Sequence, residues 1–249
     1  MSPAGRRVAG VDGCRGGWLV VTADADPDPE RTGRPATVEV VADIGDVVGR
    51  VRTGELAIVG VDMPIGLTDR GPRPCDRAAR RALGPRRSSV FPAPIRPLLG
   101  IDDYETALAT ARRLDDGRGL SRQSFNLLGA IEALDRAVRA PGVDAERVVE
   151  VCPELSFALL AGHPLAEPKR TAAGRADRRR LLVEHVAGID EVLDGPTPRG
   201  AATDDVLDAC AVVWTARRVV AGVAQRFTGT DDTGTDAVDA LGLAMVVRA

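Results

Sequence analysis

The chain has few aromatic residues, histidines and cysteines, and each of these low counts argues against a class of functional site. Aromatic residues make up 3% of its 249 residues, too few for the stacking platform of single-strand-binding proteins. The two histidines, His163 and His185, stand in no recognisable context for activating Ser88 or Ser89 as a nucleophile. The four cysteines are scattered, with neither zinc-site spacing nor a dense disulfide framework. We therefore expect reduced thiols in a cytoplasmic protein.

Long apolar runs and a basic excess are also missing. The apolar stretches are far shorter than a membrane span, so we expect no membrane partner. The formal net charge is −3, whereas proteins that coat nucleic acid non-specifically carry a basic excess. Any nucleic-acid surface must therefore be local. Only Lys169 among the 33 basic residues is a lysine, and codon preference explains this as well as phosphate binding does.

The apolar pattern predicts an α/β fold with a mixed sheet. Residues 7–12, 17–23 and 36–44 predict three consecutive antiparallel strands, the first two joined by a glycine-rich turn. The continuous apolar run Leu56–Val61 predicts a central strand that is buried on both faces. Val148–Val151 resumes the sheet as a fifth strand. This order brings the first and fourth strands side by side.

Helical patterns fill the segment between the fourth and fifth strands. We expect a single domain over residues 1–249, with a helical insertion at about 63–146. Asp102 is the predicted cap of one helix in this insertion. The predicted helices span Asp46–Arg52, Cys75–Leu83, Tyr104–Leu114, Ser121–Arg139, Arg175–Val186 and Asp204–Val220. Residues 24–35 and 229–235 have the composition of mobile loops, and Leu241–Val247 is a candidate edge strand.

Acidic residues follow apolar runs at several places. Asp12 ends the first run, Asp62 follows the fourth strand, and Glu154 follows the fifth. Asp205 and Asp208 lie three apart on one face of a final helix that is apolar nearly all round. Each acid alone is equally a turn or cap residue. A buried lone carboxylate is costly unless it is paired or metal-bound, so together they predict one cluster.

Clustered carboxylates repel each other, and divalent cations relieve that repulsion. Oxygen-only ligands select Mg²⁺ or Mn²⁺, and two ions roughly 4 Å apart would activate a water and stabilise the leaving oxygen of a phosphodiester. Glu154 is either an auxiliary catalytic acid or a helix cap, and Asp204 is the predicted N-cap of the last helix. The predicted catalytic metal ligands are Asp12, Asp62, Asp205 and Asp208.

An arginine-rich stretch follows the strand that precedes Asp62. Between Arg70 and Arg96 it holds eight arginines and one acid, Asp76. It is therefore a local basic surface on a chain whose net charge is slightly negative, and we expect it to bind phosphates. A solvated arginine-rich helix face or a site for a nucleotide or other small anion are the alternatives. The predicted substrate-binding residues are Arg70, Arg73, Arg77, Arg86, Arg87, Ser88, Ser89 and Lys169.

Six short motifs carry a family resemblance. They are Val11–Trp18, Val61–Leu67, Arg87–Pro94, Ser121–Gln123, Cys152–Phe157 and Lys169–Thr171. Together they resemble the domain-of-unknown-function 429 family, and the Ser-Ser-Val-Phe-Pro-Ala-Pro string at 88–94 is highly specific. The resemblance covers nearly the whole chain. It implies an RNase H-like fold, a five-stranded mixed sheet flanked by helices, and a predicted nuclease.

A looser similarity reaches the bacterial Holliday-junction resolvases. Their first-strand Asp, the acid after their fourth strand and their Asp-x-x-Asp-Ala helix start are matched by Asp12, Asp62 and Asp205–Ala209. Two departures are Cys152, where many relatives are expected to have His, and Asp62, which is shorter than the resolvases' Glu. The similarity implies an endonuclease that acts on structured, even branched, DNA or RNA. The oligomeric state stays open, with a homodimer as one option.

Two other functions fit the same residues. One is a nucleotide-binding phosphotransferase related to the sugar-kinase and actin group, whose first hairpin also has an Asp-Gly start. Those proteins normally have two such domains, and this chain has room for one. The other is a non-catalytic nucleic-acid-binding module that kept the fold and lost the activity.

Overall fold

One mixed sheet organises the molecule. The structure is a computed structural model, and it describes residues 7–26, 34–115, 117–229 and 236–249. Its strands are β1 Arg7–Cys14, β2 Gly17–Asp24, β3 Thr37–Val41, β4 Leu56–Val61, β5 Val148–Val151, β6 Arg226–Phe227 and β7 Val247–Arg248. Within the described residues their order across the sheet is β3-β2-β1-β4-β5-β7-β6.

The pairing explains where the chain changes direction. β1, β2 and β3 form an antiparallel meander, and β1 pairs in parallel with β4 on its other side, as predicted. β5 pairs in parallel with both β4 and β7, and β6 pairs antiparallel with β7. All residues of β4 are buried, which confirms a central strand.

The expected number of five strands is wrong, because the C-terminal part of the chain adds β7 and β6 beyond β5. In the predicted edge strand Leu241–Val247, Ala244 forms an isolated bridge with Val238, and only Val247 belongs to a strand. That strand, β7, is flanked on both sides. Each added strand has two residues, and so short a segment shows no alternation in the sequence.

Nine α-helices lie within the described part of the chain. They are α1 Ile44–Arg52, α2 Pro74–Leu83, α3 Tyr104–Leu114, α4 Arg122–Asn126, α5 Leu128–Val138, α6 Pro153–Ala161, α7 Ala172–His185, α8 Asp190–Asp194 and α9 Thr203–Val220. Helices α2 to α5 fill the segment between β4 and β5, together with short 3-10 turns at Gly84–Ser89, Arg96–Leu98 and Ala145–Arg147.

Several helices begin earlier than predicted, such as α1 at Ile44 and α7 at Ala172, and three further differences concern caps and a helix break. Asp103, and not Asp102, caps α3, since its carboxylate accepts the backbone N–H of Thr106 at 2.8 Å. The single helix expected over residues 121–139 is two helices that meet at Leu127. Asp204 is not the N-cap of α9, because the helix begins at Thr203 and Ala202 occupies the capping position.

Helices cover both faces of the sheet. On one face, apolar residues of β1, β2, β4 and β5 form a core with helices α6, α7, α8 and α9. On the opposite face, α1 and α5 pack on the alternate residues of β1, β2 and β4. Strand residues two apart point to the same face, so Val8, Gly10 and Asp12 all face α9.

The two predicted mobile loops fall largely outside the described residues, which omit 27–33 and 230–235. In the parts of the chain that are described, no helix combines the length and the hydropathy needed to cross a membrane.

Candidate metal centre

Two aspartates lie side by side at the ends of neighbouring parallel strands. In the register between β1 and β4, Val11 is paired with Val61, and the backbone N–H of Asp62 donates to the carbonyl of Val11 at 2.9 Å. Asp12 follows Val11 on β1 and Asp62 follows Val61 at the end of β4, so the two residues are neighbours. Both side chains point to the face covered by α9. Asp12 is 8% exposed. Strand register alone brings these carboxylates together.

Two glycines allow α9 to pack directly on the strand backbones. Gly10 and Gly60 are paired across β1 and β4, each two residues before an aspartate. A Cβ at Gly10 would lie 2.1 Å from the carbonyl oxygen of Ala209, and one at Gly60 would lie 2.6 Å from a methyl group of Val212. No side chain larger than hydrogen fits, so the close approach depends on these glycines.

The close packing of α9 adds a third carboxylate to the pair. One oxygen atom each of Asp12, Asp62 and Asp208 lies within 4.8 Å of the other two. Asp208 is 2% exposed. We call these three residues the acidic triad. They come from β1, from the end of β4 and from α9, which are far apart in the sequence.

Asp205 was predicted to be a metal ligand together with Asp208. In the part of the chain that the structure describes, it does not belong to the triad. It lies in the first turn of α9, where its carboxylate accepts the backbone N–H of Ala202 at 2.8 Å. A three-residue spacing put both acids on one helix face, but Asp205 is used to cap the helix end. Its charge still acts on Asp12.

Burial and mutual repulsion make the triad carboxyls weak acids. Burial, followed by the charges of Asp62 and Asp208, raises the pKa of Asp12 well above its usual range. Burial and the charge of Asp208 raise the pKa of Asp62 to about 7. Burial also raises the pKa of Asp208, to about 6, although Lys169 opposes the shift. The metal-free triad therefore holds protons that a cation would displace.

Lys169 provides the counter-charge of the triad. Its Nζ lies 2.5 Å from Oδ2 of Asp208, and its side chain is 43% exposed. Burial alone would lower the pKa of Lys169, but the charges of Asp208, Asp12 and Asp62 outweigh it, so the pKa is raised. Lys169, which was predicted to bind substrate, thus places a positive charge beside the triad.

A cleft of about 290 Å³ opens beside the triad. Of the predicted substrate-binding residues, Arg86, Ser89 and Lys169 line it. Arg70, Arg77, Arg87 and Ser88 are exposed and do not belong to its lining. The lining residues are Asp62, Arg86, Ser89, Cys152, Pro153, Glu154, Pro168, Lys169, Arg170, Asp204 and Asp208.

Arg73 was predicted to bind substrate, but its side chain lies in the interior of the protein. Its side chain is 1% exposed and forms ion pairs with Glu150 at 2.6 Å and with Asp76 at 2.5 Å. It also donates to the carbonyls of Ile65 and Gly66. A guanidinium with these partners cannot reach a ligand, so Arg73 is a structural residue that neutralises buried acids.

Glu154 lines the cleft without joining the triad. Its Oε1 accepts a hydrogen bond from the buried guanidinium of Arg178 at 2.6 Å and lies 3.9 Å from Arg86. It is neither the N-cap of α6, a position held by Cys152, nor a free acid. Its charge is therefore already balanced by arginine, and it orients Arg86 toward the cleft.

Four residues that shape the site are not among the predicted site residues. Arg170 and Asp204 line the cleft, although the sequence predicts a loop for the first and a helix cap for the second. Gly10 and Gly60 were noted only as members of apolar runs. The repeated spacing Gly-Val-Asp, at 10–12 and again at 60–62, was a signal that could have identified the glycines as contacts of a helix.

The donor set of the triad fits a hard divalent cation. Carboxylate oxygens are the ligands that Mg²⁺ and Mn²⁺ prefer, and octahedral Mg²⁺ holds neighbouring oxygens roughly 3 Å apart. The triad oxygens lie within 4.8 Å of one another, so they would move closer together around a bound cation. Burial and the charge of Asp62 raise the pKa of Cys152, which also lines the cleft.

Comparison with known proteins gives one family and no further relative. The family model described as "Protein of unknown function (DUF429)" matches residues 10–233. No curated protein and no solved structure gives a match. The matched range begins within β1 and contains strands β2 to β5, helix α9, the acidic triad and the residues that line the cleft. Because the match covers most of the chain, this protein belongs to the DUF429 family.

Proposed function

We propose that this protein is a divalent-metal-dependent nuclease that hydrolyses phosphodiester bonds of a structured nucleic acid. The observation that carries the proposal is the convergence of Asp12, Asp62 and Asp208, within 4.8 Å of one another, beside a cleft lined by arginine and lysine. The carboxylates suit a cation and the basic side chains suit phosphates. A local site of this kind is compatible with a net charge of −3.

Each residue has a distinct task in this proposal. The triad would hold Mg²⁺ or Mn²⁺, which when bound supplies Lewis-acid polarisation of a phosphoryl oxygen. Arg86 presents a guanidinium suited to bidentate contact with a phosphate, and Ser89 adds a neutral donor beside it. Glu154 keeps Arg86 oriented from 3.9 Å away. A phosphate held by these groups loses its translational and rotational entropy when it binds, so this loss does not add to the barrier of the reaction step.

The sheet supports an RNase H-like fold. An antiparallel meander followed by parallel β4 and β5, with β1 next to β4, is the arrangement that the family resemblance implies. The acids at β1, β4 and the start of the last long helix also match the resolvase pattern, with Asp208 and not Asp205 in the group. Four free thiols support a reducing, cytoplasmic location.

A cleavage assay tests the proposal. We expect purified protein to cut at least one member of a panel of single-stranded, duplex, hybrid and four-way-junction substrates when Mg²⁺ or Mn²⁺ is added. Asp12→Asn and Asp208→Asn each remove a ligand charge, and we expect a loss of more than about a hundredfold in rate, since even residues that only orient a metal ligand are worth about 10–100-fold.

Asp205→Asn is the matched control for Asp208→Asn. The asparagine keeps an oxygen that can accept the Ala202 N–H, and position 205 lies outside the triad, so we expect activity close to that of the wild type. Cleavage that persists in both triad variants, or that needs no divalent ion, contradicts the proposal. Tight binding of nucleic acid without cleavage favours the non-catalytic module instead.

A further inference from the structure

Lys169 is the only lysine of the chain, and it lies against the acidic triad. Its ammonium group is 2.5 Å from Oδ2 of Asp208, and the carboxylates of Asp12 and Asp62 are close enough to act on its charge. One oxygen of Asp208 is therefore already engaged by a cation that belongs to the protein. Proximity to all three acids is the arrangement of a counter-charge to the triad, whereas a lysine that binds only substrate requires no such proximity.

The loop that carries Lys169 is held in place by its own hydrogen bonds. Thr171 Oγ1 donates to the carbonyl of Pro168 at 2.9 Å and accepts the N–H of Gly174 at 2.9 Å. A Cβ at Gly174 would lie 2.0 Å from the Pro168 carbonyl oxygen, so the loop and α7 are in direct backbone contact. Lys169 is thus presented by a fixed support.

Arg178 ties that support to the rest of the site. Its buried guanidinium donates to the carbonyls of Glu167 and Gly174, at 3.1 and 3.0 Å, and forms the ion pair with Glu154 at 2.6 Å. The loop that bears Lys169 and the helix α6 that bears Glu154 are therefore joined through one side chain. The ammonium is positioned before any metal or substrate binds.

The charges at the site favour a single divalent ion. The triad, when ionised, and the ammonium group of Lys169 that contacts it carry three negative charges and one positive charge. One divalent cation neutralises the net charge of −2 of this group of four side chains. A second divalent ion would leave a positive excess in a partly buried site, where unbalanced charge is costly. The nearby Glu154 does not change this balance, because it is paired with Arg178.

We propose that the ammonium group of Lys169 takes the place of a second divalent cation, so that the triad binds one metal ion and not the two expected from the sequence. The inference deepens the proposed function and rests on its metal site. Lys169 acts as a positioning residue here, since it holds Asp208 and sets the number of ions, and no step of the reaction is assigned to it.

Counting bound Mn²⁺ tests this inference without nucleic acid. Isothermal titration calorimetry, with electron paramagnetic resonance of the free ion as a second measure, gives the number of ions per chain. We expect one Mn²⁺ for the wild type and two for Lys169→Gln, which removes the competing charge from Asp208. Lys169→Arg keeps a positive charge and should bind one ion.

Arg180→Gln is the control for the change in net charge. Arg180 is an exposed residue of α7 that pairs with Glu184, and its loss should leave one Mn²⁺ per chain. Two ions in the wild type, or one ion in both the wild type and Lys169→Gln, overturns the inference. If Lys169→Gln does not fold, Lys169→Met, which also removes the charge and keeps an unbranched side chain, is counted in its place with the same two outcomes.

The Mn²⁺ counts and the cleavage assay together distinguish a failure of the Lys169 proposal from a failure of the proposed nuclease function. Absence of Mn²⁺ binding in the wild type overturns the metal site and, with it, both proposals. One bound Mn²⁺ without cleavage of any substrate overturns the nuclease and leaves the role of Lys169 standing. Two bound Mn²⁺ with cleavage overturns the role of Lys169 alone.

Discussion

At the residue scale, the chemistry of Asp62 is set by its surroundings. An aspartate before Met63-Pro64 could end a strand as an ordinary turn residue with an ordinary acidity. Here burial and the nearby charge of Asp208 raise its pKa from 3.8 to about 7. The same side chain is therefore protonated over part of the pH range in which an exposed aspartate is ionised.

This shift predicts how the metal-free protein responds to pH. Between about pH 4 and pH 7 the folded chain keeps a proton on Asp62 that the unfolded chain releases, so unfolding releases protons and the free energy of unfolding falls as the pH rises. Thermal unfolding in EDTA should show the decline, since each kcal/mol shifts the melting temperature of a chain this size by about 2–4 °C.

Asp62→Asn should make that decline shallower, because asparagine carries no titrating group; the raised pKa values of Asp12 and Asp208 account for the decline that remains. Asp69→Asn, at an exposed position seven residues along the chain, should leave the pH profile unchanged. Parallel pH profiles of the wild type and Asp62→Asn between pH 4 and pH 7 in EDTA would contradict the raised pKa of Asp62.

At the element scale, the site depends on how closely α9 approaches the sheet. Gly10 and Gly60 leave room for the helix backbone over β1 and β4, and Asp208 projects from that helix toward the two strand aspartates. A helix normally stands off a sheet by the thickness of the intervening side chains. Removing that layer over two strands is what allows a helix carboxylate to meet two strand carboxylates.

Gly10→Ala is therefore expected to damage both stability and metal binding. The new Cβ would meet the Ala209 carbonyl oxygen at 2.1 Å, and overpacking of this kind costs about 1–3 kcal/mol or more. Displacement of α9 also moves Asp208, so Mn²⁺ affinity should fall. Urea unfolding and Mn²⁺ titration measure the two effects.

Gly49→Ala is the matched control. Gly49 lies within α1, and a Cβ there would have no atom within 4 Å outside its own helical turn. Alanine should therefore raise stability by about 0.5–1 kcal/mol through its higher helix propensity. Equal stability of Gly10→Ala and the wild type would show that α9 does not pack on the β1 backbone.

At the scale of the whole molecule, the C-terminal segment joins the sheet to the helical insertion. β7 pairs with β5 and so extends the sheet with residues from the far end of the chain. Asp239 accepts the backbone N–H groups of Leu67, Leu241 and Leu243 and pairs with Arg96. One buried carboxylate thus connects the segment after β4, the insertion and the C-terminus.

Asp239→Ala should therefore weaken the entire fold. It leaves three backbone donors and the Arg96 guanidinium without this acceptor, and breaking a buried charged network costs about 3–5 kcal/mol. Asp236→Ala removes an acid of the same segment that pairs with Arg226 at the surface, and its cost should stay below about 1 kcal/mol. Similar unfolding midpoints in urea for the two variants would contradict the connecting role of Asp239.

The first five strands, the neighbourhood of β1 and β4 and most helices were predictable from the sequence, because apolar periodicity is a local property of the chain. Asp12 and Asp62 were identified for the same reason, as acids that follow apolar runs, and Asp208 as an acid on a helix that is apolar nearly all round. The family was also recognisable, since its motifs are short and contiguous.

Only the tertiary structure decided which charges meet. Arg73 and Arg86 belong to one arginine-rich stretch, yet the first neutralises Glu150 in the interior and the second lines the cleft. Asp205 and Asp208 share a helix, yet one caps it and the other joins the triad with Lys169. Contacts between residues distant in sequence depend on packing distances of a few ångströms, and periodicity, which is a local property, carries no information about them.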